Sequence, residues 1–254
     1  MDNMKSEFVT ETGASDAELD RRAEFTRLFE QNPIPTADLL QNMGLFLSRQ
    51  SLSRILTMHA LYQKILDVHG VIMEFGVRWG QNLALFVAFR GIYEPYNHNR
   101  KIIGFDTFEG FPSVHEKDGE GQSIQVGGYG VTENYQAFLA QVLDHHQTNS
   151  PIAHKKKYEL VRGDATSTLE TYLREHPETI VSFAYFDFDI YEPTKVCLDL
   201  LQGCMTKGTV LAFDELNHPA FPGETLALKE TLGLGRYALK RFPFDPLVSY
   251  LVID

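Results

Sequence analysis

Two acidic pairs near the end of the chain each close a short apolar run. The first run ends in Asp187 and Asp189, and the second ends in Asp214 and Glu215. Carboxylates that lie close together repel one another and resist joint ionisation unless a cation sits among them. Oxygen ligands favour Mg²⁺ or a similar hard ion over zinc. If the two pairs meet in space, they predict a divalent-cation site.

Both apolar runs are predicted to be buried strands of a parallel sheet. Each is short and rich in aromatic and β-branched residues, and a segment long enough for a helix separates them. Neighbouring strands lie about 4.8 Å apart, and the carboxyl ends of parallel strands meet at one edge of the sheet. The four carboxyl groups should therefore converge at that edge.

A third feature lies earlier, where a strand ending at Glu74 leads through Gly76-x-x-x-Gly80 into a helix. Such a turn lets a ligand approach the backbone closely, although packing alone can also require these glycines. The turn is not the dinucleotide fingerprint, which would need glycine at the positions of Arg78 and Gln81. The next strand ends in Asp106, which could accept hydrogen bonds from ribose hydroxyls. Together these residues indicate a ligand that carries a nucleoside but no pyrophosphate.

These residues are placed on an alternation of strands and helices, which predicts an α/β fold with a doubly wound, mainly parallel sheet. We expect disorder over 1–14, a helix that begins at the capping box of Ser15 and ends near Glu30, and a helical N-terminal extension over 1–69. The domain proper should span 70–254. Its predicted strands are 71–76, 101–106, 158–162, 180–188, 208–214, 237–242 and 247–253, and its predicted helices are 80–90, 166–175, 192–203 and 223–233.

Residues 107–157 form an insertion that is too long for an ordinary connection in a compact domain. Its first half is dense in glycine, which favours a mobile lid over the carboxyl edge of the sheet. The alternative is a surface excursion with no gating role. A helix is expected from Val131 to His145, with Thr132 near its N-cap.

Composition narrows the function classes. The formal net charge of −11 disfavours nucleic acid as a partner, and Lys155–Lys157 is expected to be a solvated loop. No apolar run reaches the length of a membrane span, and no secretory signal is visible. Cys197 and Cys204 fit neither a redox nor a zinc spacing, so buried thiols and a cytoplasmic location are expected.

Taken together, the motifs resemble the macrocin O-methyltransferase family, whose members are Mg²⁺- and S-adenosylmethionine-dependent sugar O-methyltransferases. The similarity covers Val71 to about Glu230 and is also seen with the deoxysugar methyltransferases of antibiotic pathways, including the rhamnosyl type of calicheamicin. It rests on the segments Glu74–Gly80, Gly104–Pro112, Asp187–Thr194 and Phe213–Glu215. This resemblance implies a Rossmann-like class I methyltransferase fold with a seven-stranded sheet, a small-molecule sugar or glycosylated substrate, and a homodimer with 36–69 as a plausible contact.

The resemblance also assigns roles to residues. It implies that Glu74, Gly76 and Asn82 flank the methionine portion of S-adenosylmethionine, that Asp106 binds its ribose, and that Gly163, Asp164 and Ala165 lie beside its adenine. It implies that Asp187, Asp214 and Glu215 hold Mg²⁺ and that Asp189 or Asp187 takes the acceptor's proton. The family commonly has Asp-Asp at the last metal position, so the ligand role of Glu215 is the least secure.

Other readings stay open at this point. Asp189 or Glu192 could cap the helix that follows, His218 could be a base or an ordinary loop histidine, and Tyr191 and Trp79 could line a pocket or only pack in the core. An oxidoreductase on the same kind of sheet, a natural-product hydroxylase and a non-catalytic binding module are the alternative functions, since fold alone does not fix function.

Overall fold

A computed structural model describes residues 13–121 and 123–254 of the chain. The predicted disorder over 1–14 falls almost wholly outside the described residues. Seven strands form one sheet in the order β3-β2-β1-β4-β5-β7-β6. The first five strands pair in parallel, and β7 pairs antiparallel with both β5 and β6. The predicted mainly parallel, seven-stranded sheet of an α/β fold is thereby confirmed.

The observed elements follow the predicted alternation closely. The strands are β1 Val71–Phe75, β2 Ile102–Asp106, β3 Tyr158–Arg162, β4 Val181–Phe186, β5 Met205–Phe213, β6 Lys240–Arg241 and β7 Ser249–Val252. The helices are α1 Asp16–Glu30, α2 Thr36–Gln41, α3 Arg49–Gln63, α4 Gln81–Tyr93, α5 Tyr135–Thr148, α6 Ala165–Glu175, α7 Tyr191–Leu201 and α8 Gly223–Thr231, with a 3₁₀ helix at Met43–Phe46.

Alternate residues of the central strands point to opposite faces of the sheet, and each face carries its own apolar core. Phe183 and Tyr185 of β4 face a core that includes residues of α3, α4 and α5. Ala184 and Phe186 of the same strand face a second core that includes residues of α6, α7 and α8. This alternation is the reason that β4 reads as a continuous apolar run in the sequence.

The N-terminal helices differ in how they are held. The backbone N–H of Ser15 donates to the Glu18 carboxylate at 2.9 Å, which confirms the predicted capping box of α1. Helix α1 has no buried residue, whereas α3 contributes Met58 and Leu61 to the core beside β4. The boundary drawn at Gly70 stays a prediction, and α3 packs as part of the domain.

In the 107–157 insertion the predicted start of the helix is wrong, and the solvated loop predicted over Lys155–Lys157 holds for the exposed Lys155 and Lys156 but not for Lys157. Helix α5 begins at Tyr135 rather than Val131, because Asn134 adopts a left-handed φ of 60° and Thr132 lies outside the helix. Lys157 is only 1% exposed, and its ammonium group donates to the carbonyl groups of Pro151 and Ile152 at 3.1 and 2.8 Å. Within the described part of the chain, no helix is long and apolar enough to cross a membrane.

Candidate active site

A cavity of about 310 Å³ opens at the carboxyl edge of the sheet. Each of the five parallel strands contributes to its wall at or just beyond its last residue, through Gly76, Asp106, Gly163, Asp187 and Asp214. Parallel strands that run side by side end at the same edge, so this convergence follows directly from the sheet topology.

Most of the predicted site residues line this one cavity. They are Gly76, Asp106, Gly163, Asp164, Ala165, Asp187, Asp189, Asp214 and Glu215. Glu74 and Asn82 do not line it, and they are 1% and 8% exposed. Burial, followed by the charge of Asp187, raises the pKa of Glu74 well above its usual range, while a hydrogen bond from Asn82 opposes the shift. Their expected contact with a methionine group stays a prediction.

The acidic pairs at the ends of β4 and β5 do come together. Burial raises the pKa of Asp187 well above its usual range, and the nearby Asp214 adds to the effect. Burial and the charge of Asp187 raise the pKa of Asp189 in the same way. For Glu215, burial and the adjacent Asp214 raise the pKa to about 7. Each carboxyl group therefore makes ionisation of its neighbours less favourable. This is the repulsion that the sequence predicts for carboxylates that lie close together.

A fifth carboxyl group, which sequence reasoning missed, ties the two acidic loops to helix α8. Glu224 is fully buried and accepts hydrogen bonds from the backbone N–H of Phe188 at 3.2 Å and of Glu215 at 3.4 Å. Burial, followed by the charges of Asp214 and Asp187, raises the pKa of Glu224 well above its usual range. One side chain thus fixes the loop after β4 relative to the loop after β5.

A cation from the N-terminal region also reaches the cavity, and sequence reasoning missed it too. Arg54 of α3 donates from Nη1 to Oδ1 of Asp214 and to the hydroxyl of Tyr185, and from Nη2 to Oδ2 of Asp214 at 3.1 Å. The Tyr185 hydroxyl donates to the same Oδ1 at 2.5 Å. A signal was present, because Arg54 lies four residues before buried Met58 and so places a charge beside the apolar face of the helix.

The carboxyl groups suit a divalent cation by chemistry. The donor set is all oxygen, and Oε2 of Glu215 is buried with no hydrogen-bond partner. The side chains as placed do not surround an ion, since no group of three or more His, Cys, Asp or Glu residues among those described is arranged to hold one. Asp214 is instead turned toward Arg54 and Tyr185.

The glycine turn after β1 is shaped by protein contacts. Gly76 has a φ of +87°, and a Cβ added there would overlap the carbonyl oxygen of Asp187. A Cβ added to Gly80 would lie 2.7 Å from Cδ2 of Leu139. Packing therefore accounts for both glycines, and Gly76 lines the cavity as well.

Asp106 organises the loop that follows this turn. Its Oδ2 accepts hydrogen bonds from the backbone N–H groups of Val77 and Arg78, each at 2.7 Å, and its Oδ1 accepts one from Phe108 at 2.5 Å. Burial raises the pKa of Asp106, and these N–H donors oppose the shift. A carboxylate accepts about four hydrogen bonds, so roughly one position is left for a ribose hydroxyl.

The strand predicted over 180–188 ends before Asp189. Strand β4 ends at Phe186, and Asp189 has a left-handed φ of 62°, so strand alternation does not place it beside Asp187. Asp189 does not cap α7 either. The backbone N–H of Tyr191 donates to Asp118, at 2.5 Å, so the insertion supplies the cap. Asp118 lies seventy-three positions away in sequence, which hid this role.

Three other residues weighed from the sequence lie outside the cavity lining. Tyr191 is buried, and its hydroxyl donates to Glu230 at 2.5 Å. Trp79 packs edge-on against Tyr135 with ring centroids 4.9 Å apart. The ring of His218 packs against Phe221, and its Nδ1 is buried. These contacts favour packing roles over roles in chemistry.

Comparisons with known proteins point to one group of enzymes. No protein-family model and no curated protein matches the chain. The solved structure of CalS11, a calicheamicin methyltransferase, is 43% identical, covers 98% of both chains and superposes with a TM-score of 0.92. An apo structure of CalS11, described as a TDP-rhamnose 3′-O-methyltransferase of calicheamicin biosynthesis, is 41% identical over 96% of both chains, with a TM-score of 0.83. The O-methyltransferase NovP, 18% identical over 79% of both chains with a TM-score of 0.59, shares the fold.

Proposed function

This chain belongs to the family of the calicheamicin methyltransferase CalS11 and is an S-adenosylmethionine-dependent O-methyltransferase. From this premise we propose that its acceptor is a hydroxyl of a deoxysugar. The identity of 41–43% over nearly the whole chain to an enzyme described as acting on TDP-rhamnose is the observation that carries the proposal. The acceptor is either a nucleotide-linked deoxysugar or a glycoside of a bacterial secondary metabolite.

The cofactor is proposed to lie across the ends of β1, β2 and β3. Gly76 would face its methionine portion, and Asp106 would face its ribose. The buried Glu74 and Asn82 would support the methionine-binding part of the wall without lining the cavity. Gly163, Asp164 and Ala165 would face its adenine. All of these residues except Glu74 and Asn82 line the cavity, which supports the assignment. The bound sulfonium supplies an electrophilic methyl group, so placing the acceptor oxygen in line with it accounts for much of the rate.

Acceptor activation is proposed to use the acidic pair after β4. A sugar hydroxyl has a pKa above about 12, so proton removal by a carboxylate of ordinary pKa, about 4, would be uphill by roughly 11 kcal/mol. Burial raises the pKa of Asp189, and this makes the transfer less unfavourable. Asp189 is 7% exposed and lines the cavity, which suits a general base that must meet the substrate away from bulk water. Proton transfer to Asp189 accompanies methyl transfer, with Asp187 as the other candidate base.

We also propose that the reaction depends on a divalent cation such as Mg²⁺. Asp187, Asp214 and Glu215 are the residues that would hold it, and the oxygen-only donor set with the unpaired Oε2 of Glu215 supports this choice. The bound ion would supply positive charge for the negative charge that develops on the acceptor oxygen.

The 107–157 insertion is proposed to cover the bound substrates. Thr107, Gly110, Phe111 and Tyr129 of the insertion line the cavity, which supports a role at the site. The guanidinium of Arg78, which also lines the cavity, lies 4.7 Å from the centroid of the Tyr129 ring. A lid over this edge would exclude water from the reaction.

A homo-oligomer is proposed as well, with residues 36–69 in the contact. Large apolar side chains are exposed there, including Leu40 at 72%, Leu45 at 64% and Leu52 at 45%. Exposed apolar patches of this kind commonly mark protein contacts. Light scattering coupled to gel filtration measures the mass, and a monomer would remove this part of the proposal.

Methyl transfer from labelled S-adenosylmethionine tests the acceptor. TDP-rhamnose should be methylated, and Asp189→Asn should lose the rate while S-adenosylhomocysteine still raises its melting temperature. Glu192→Gln, at an acidic position in the first turn of α7 and outside the cavity lining, is the matched control and should keep the rate. Methylation of catechols or of nucleic acid, with no turnover of any sugar or glycoside, would contradict the proposal.

A further inference from the structure

Arg54 lies where a cation bound by Asp214 would compete with it. Its guanidinium engages both carboxylate oxygens of Asp214, and the Tyr185 hydroxyl shares one of them. A bidentate pairing of this kind fixes the carboxylate plane and uses its most accessible lone pairs. Asp214 is 6% exposed, so water gives the pair little screening.

The carboxyl groups around Asp214 explain why a positively charged side chain is favourable beside it. Asp187, Asp189 and Glu215 line the same wall, and Glu224 is buried behind it. Two guanidinium groups face these carboxyl groups, those of Arg54 and Arg78. Of these two guanidinium groups, only that of Arg54 has a hydrogen bond to a cavity-lining carboxyl group among the described contacts, and that group is Asp214. Arg54 therefore places a positive charge in direct contact with Asp214, in the middle of its acidic neighbours.

The helix that carries Arg54 is anchored in the core, whereas its side chain is partly exposed and is held only by hydrogen bonds at its tip. Met58 and Leu61 of α3 are fully buried in the core beside β4, so the backbone at Arg54 cannot swing away cheaply. The Arg54 side chain keeps 27% of its surface exposed and has a long, flexible stem. Rotation of the side chain toward solvent would free Oδ2 of Asp214 and leave Oδ1 with the Tyr185 hydroxyl as its remaining donor.

We propose that Arg54 is a displaceable counterion that occupies Asp214 in the absence of a divalent cation and must leave Asp214 when the cation binds. This inference rests on the proposed cation dependence. The bidentate hydrogen bonds from Arg54 and the hydrogen bond from Tyr185 are the contacts that a cation bound at Asp214 would have to compete with. Arg54 accordingly sets the affinity of the site for the ion through competition.

The test measures Mn²⁺ binding directly, by electron paramagnetic resonance of the free ion and by isothermal titration. Arg54→Met removes the competing charge and should bind Mn²⁺ about tenfold more tightly than the unmodified protein. Arg54→Lys keeps the charge without the bidentate geometry and should fall between them. Arg49→Met, an exposed change on the same helix, should leave the affinity unchanged. A rise in melting temperature with S-adenosylhomocysteine shows that each variant is folded.

The outcomes separate the two claims. Tighter binding by Arg54→Met, including binding where the unmodified protein shows none, supports the counterion role. Equal or weaker binding by Arg54→Met overturns it while leaving the cation dependence intact. Absence of Mn²⁺ binding in every variant overturns the cation dependence and this inference together. If Arg54→Met does not fold, Arg54→Lys decides, and an affinity equal to that of the unmodified protein counts against the inference.

Discussion

Replacing Gly76 with alanine should damage both the fold and the site. Gly76 has a φ of +87°, and an added Cβ would overlap the carbonyl oxygen of Asp187 and lie 2.7 Å from its carbonyl carbon. The clash is with backbone, and the N–H of Asp187 donates to the carbonyl of Phe75 at 2.8 Å, so the two segments cannot separate without losing that bond. Relief must move Asp187, whose carboxyl group lines the cavity.

The expected magnitude follows from three contributions. A left-handed conformation costs a residue with a Cβ about 1–2 kcal/mol. Overpacking against a fixed neighbour costs about 1–3 kcal/mol. Alanine has less conformational freedom than glycine in the unfolded chain, and this offsets the destabilisation by about 0.4–1 kcal/mol. The net destabilisation is about 3 kcal/mol, which lowers the melting temperature by about 6–12 °C for a domain of this size.

Differential scanning calorimetry and a methylation assay check the prediction together. The rate should fall by about a hundredfold, because a displacement of about 1 Å at a catalytic group has that effect. Gly203→Ala is the matched control, since an added Cβ there meets nothing within 4 Å. If Gly76→Ala has the same melting temperature as Gly203→Ala and a normal rate of methyl transfer, the close approach of β1 and Asp187 is not what positions the site.

Three further predictions concern single side chains. Asp214→Asn should abolish methyl transfer while S-adenosylhomocysteine still binds in calorimetry, and a loss of cofactor affinity with a normal residual rate would contradict this. Asp118→Ala removes the acceptor for the N–H of Tyr191, so the free energy of unfolding should fall by about 1–3 kcal/mol. Limited proteolysis within the insertion should become faster. An unchanged cleavage rate would show that Asp118 does not hold the insertion. Burial acts to raise the pKa of Glu94, but hydrogen bonds led by that of Arg100 lower it overall. A carboxyl group whose pKa is lowered by folding stabilises the fold at pH values above its unfolded-state pKa, and this stabilisation is lost as the pH falls. In Glu94→Gln the free energy of unfolding, measured with urea between about pH 3 and pH 7, should therefore decrease less steeply toward acid pH. An unchanged acid limb would refute the role of Glu94.

The sheet and much of the cavity lining could be predicted from the sequence because both depend on local patterns. Apolar runs closed by acids define β4 and β5, and parallel pairing alone brings Asp187 and Asp214 to one edge. The extent of the last turns was less accessible. Strand β4 ends at Phe186, and the left-handed φ of Asp189 reflects tertiary packing that a strand pattern does not encode.

The missed residues share a different cause. Arg54, Asp118 and Glu224 all act on elements distant in sequence, since they contact Asp214, Tyr191 and Phe188. No spacing rule links such pairs, because their proximity is set by how α3, the insertion and α8 pack against the sheet edge. The charge beside the apolar face of α3 was a local sign, but it predicts a partner without identifying it.

The most direct test of the account is the rate of methyl transfer to TDP-rhamnose after chelation with EDTA and dialysis. Stabilisation of the developing negative charge by an ion is worth several kcal/mol, so the rate should fall by about a hundredfold or more and return when Mg²⁺ is added. Asp214→Asn should not recover. An undiminished rate in EDTA would show that the acidic pairs after β4 and β5 serve this reaction without a divalent cation.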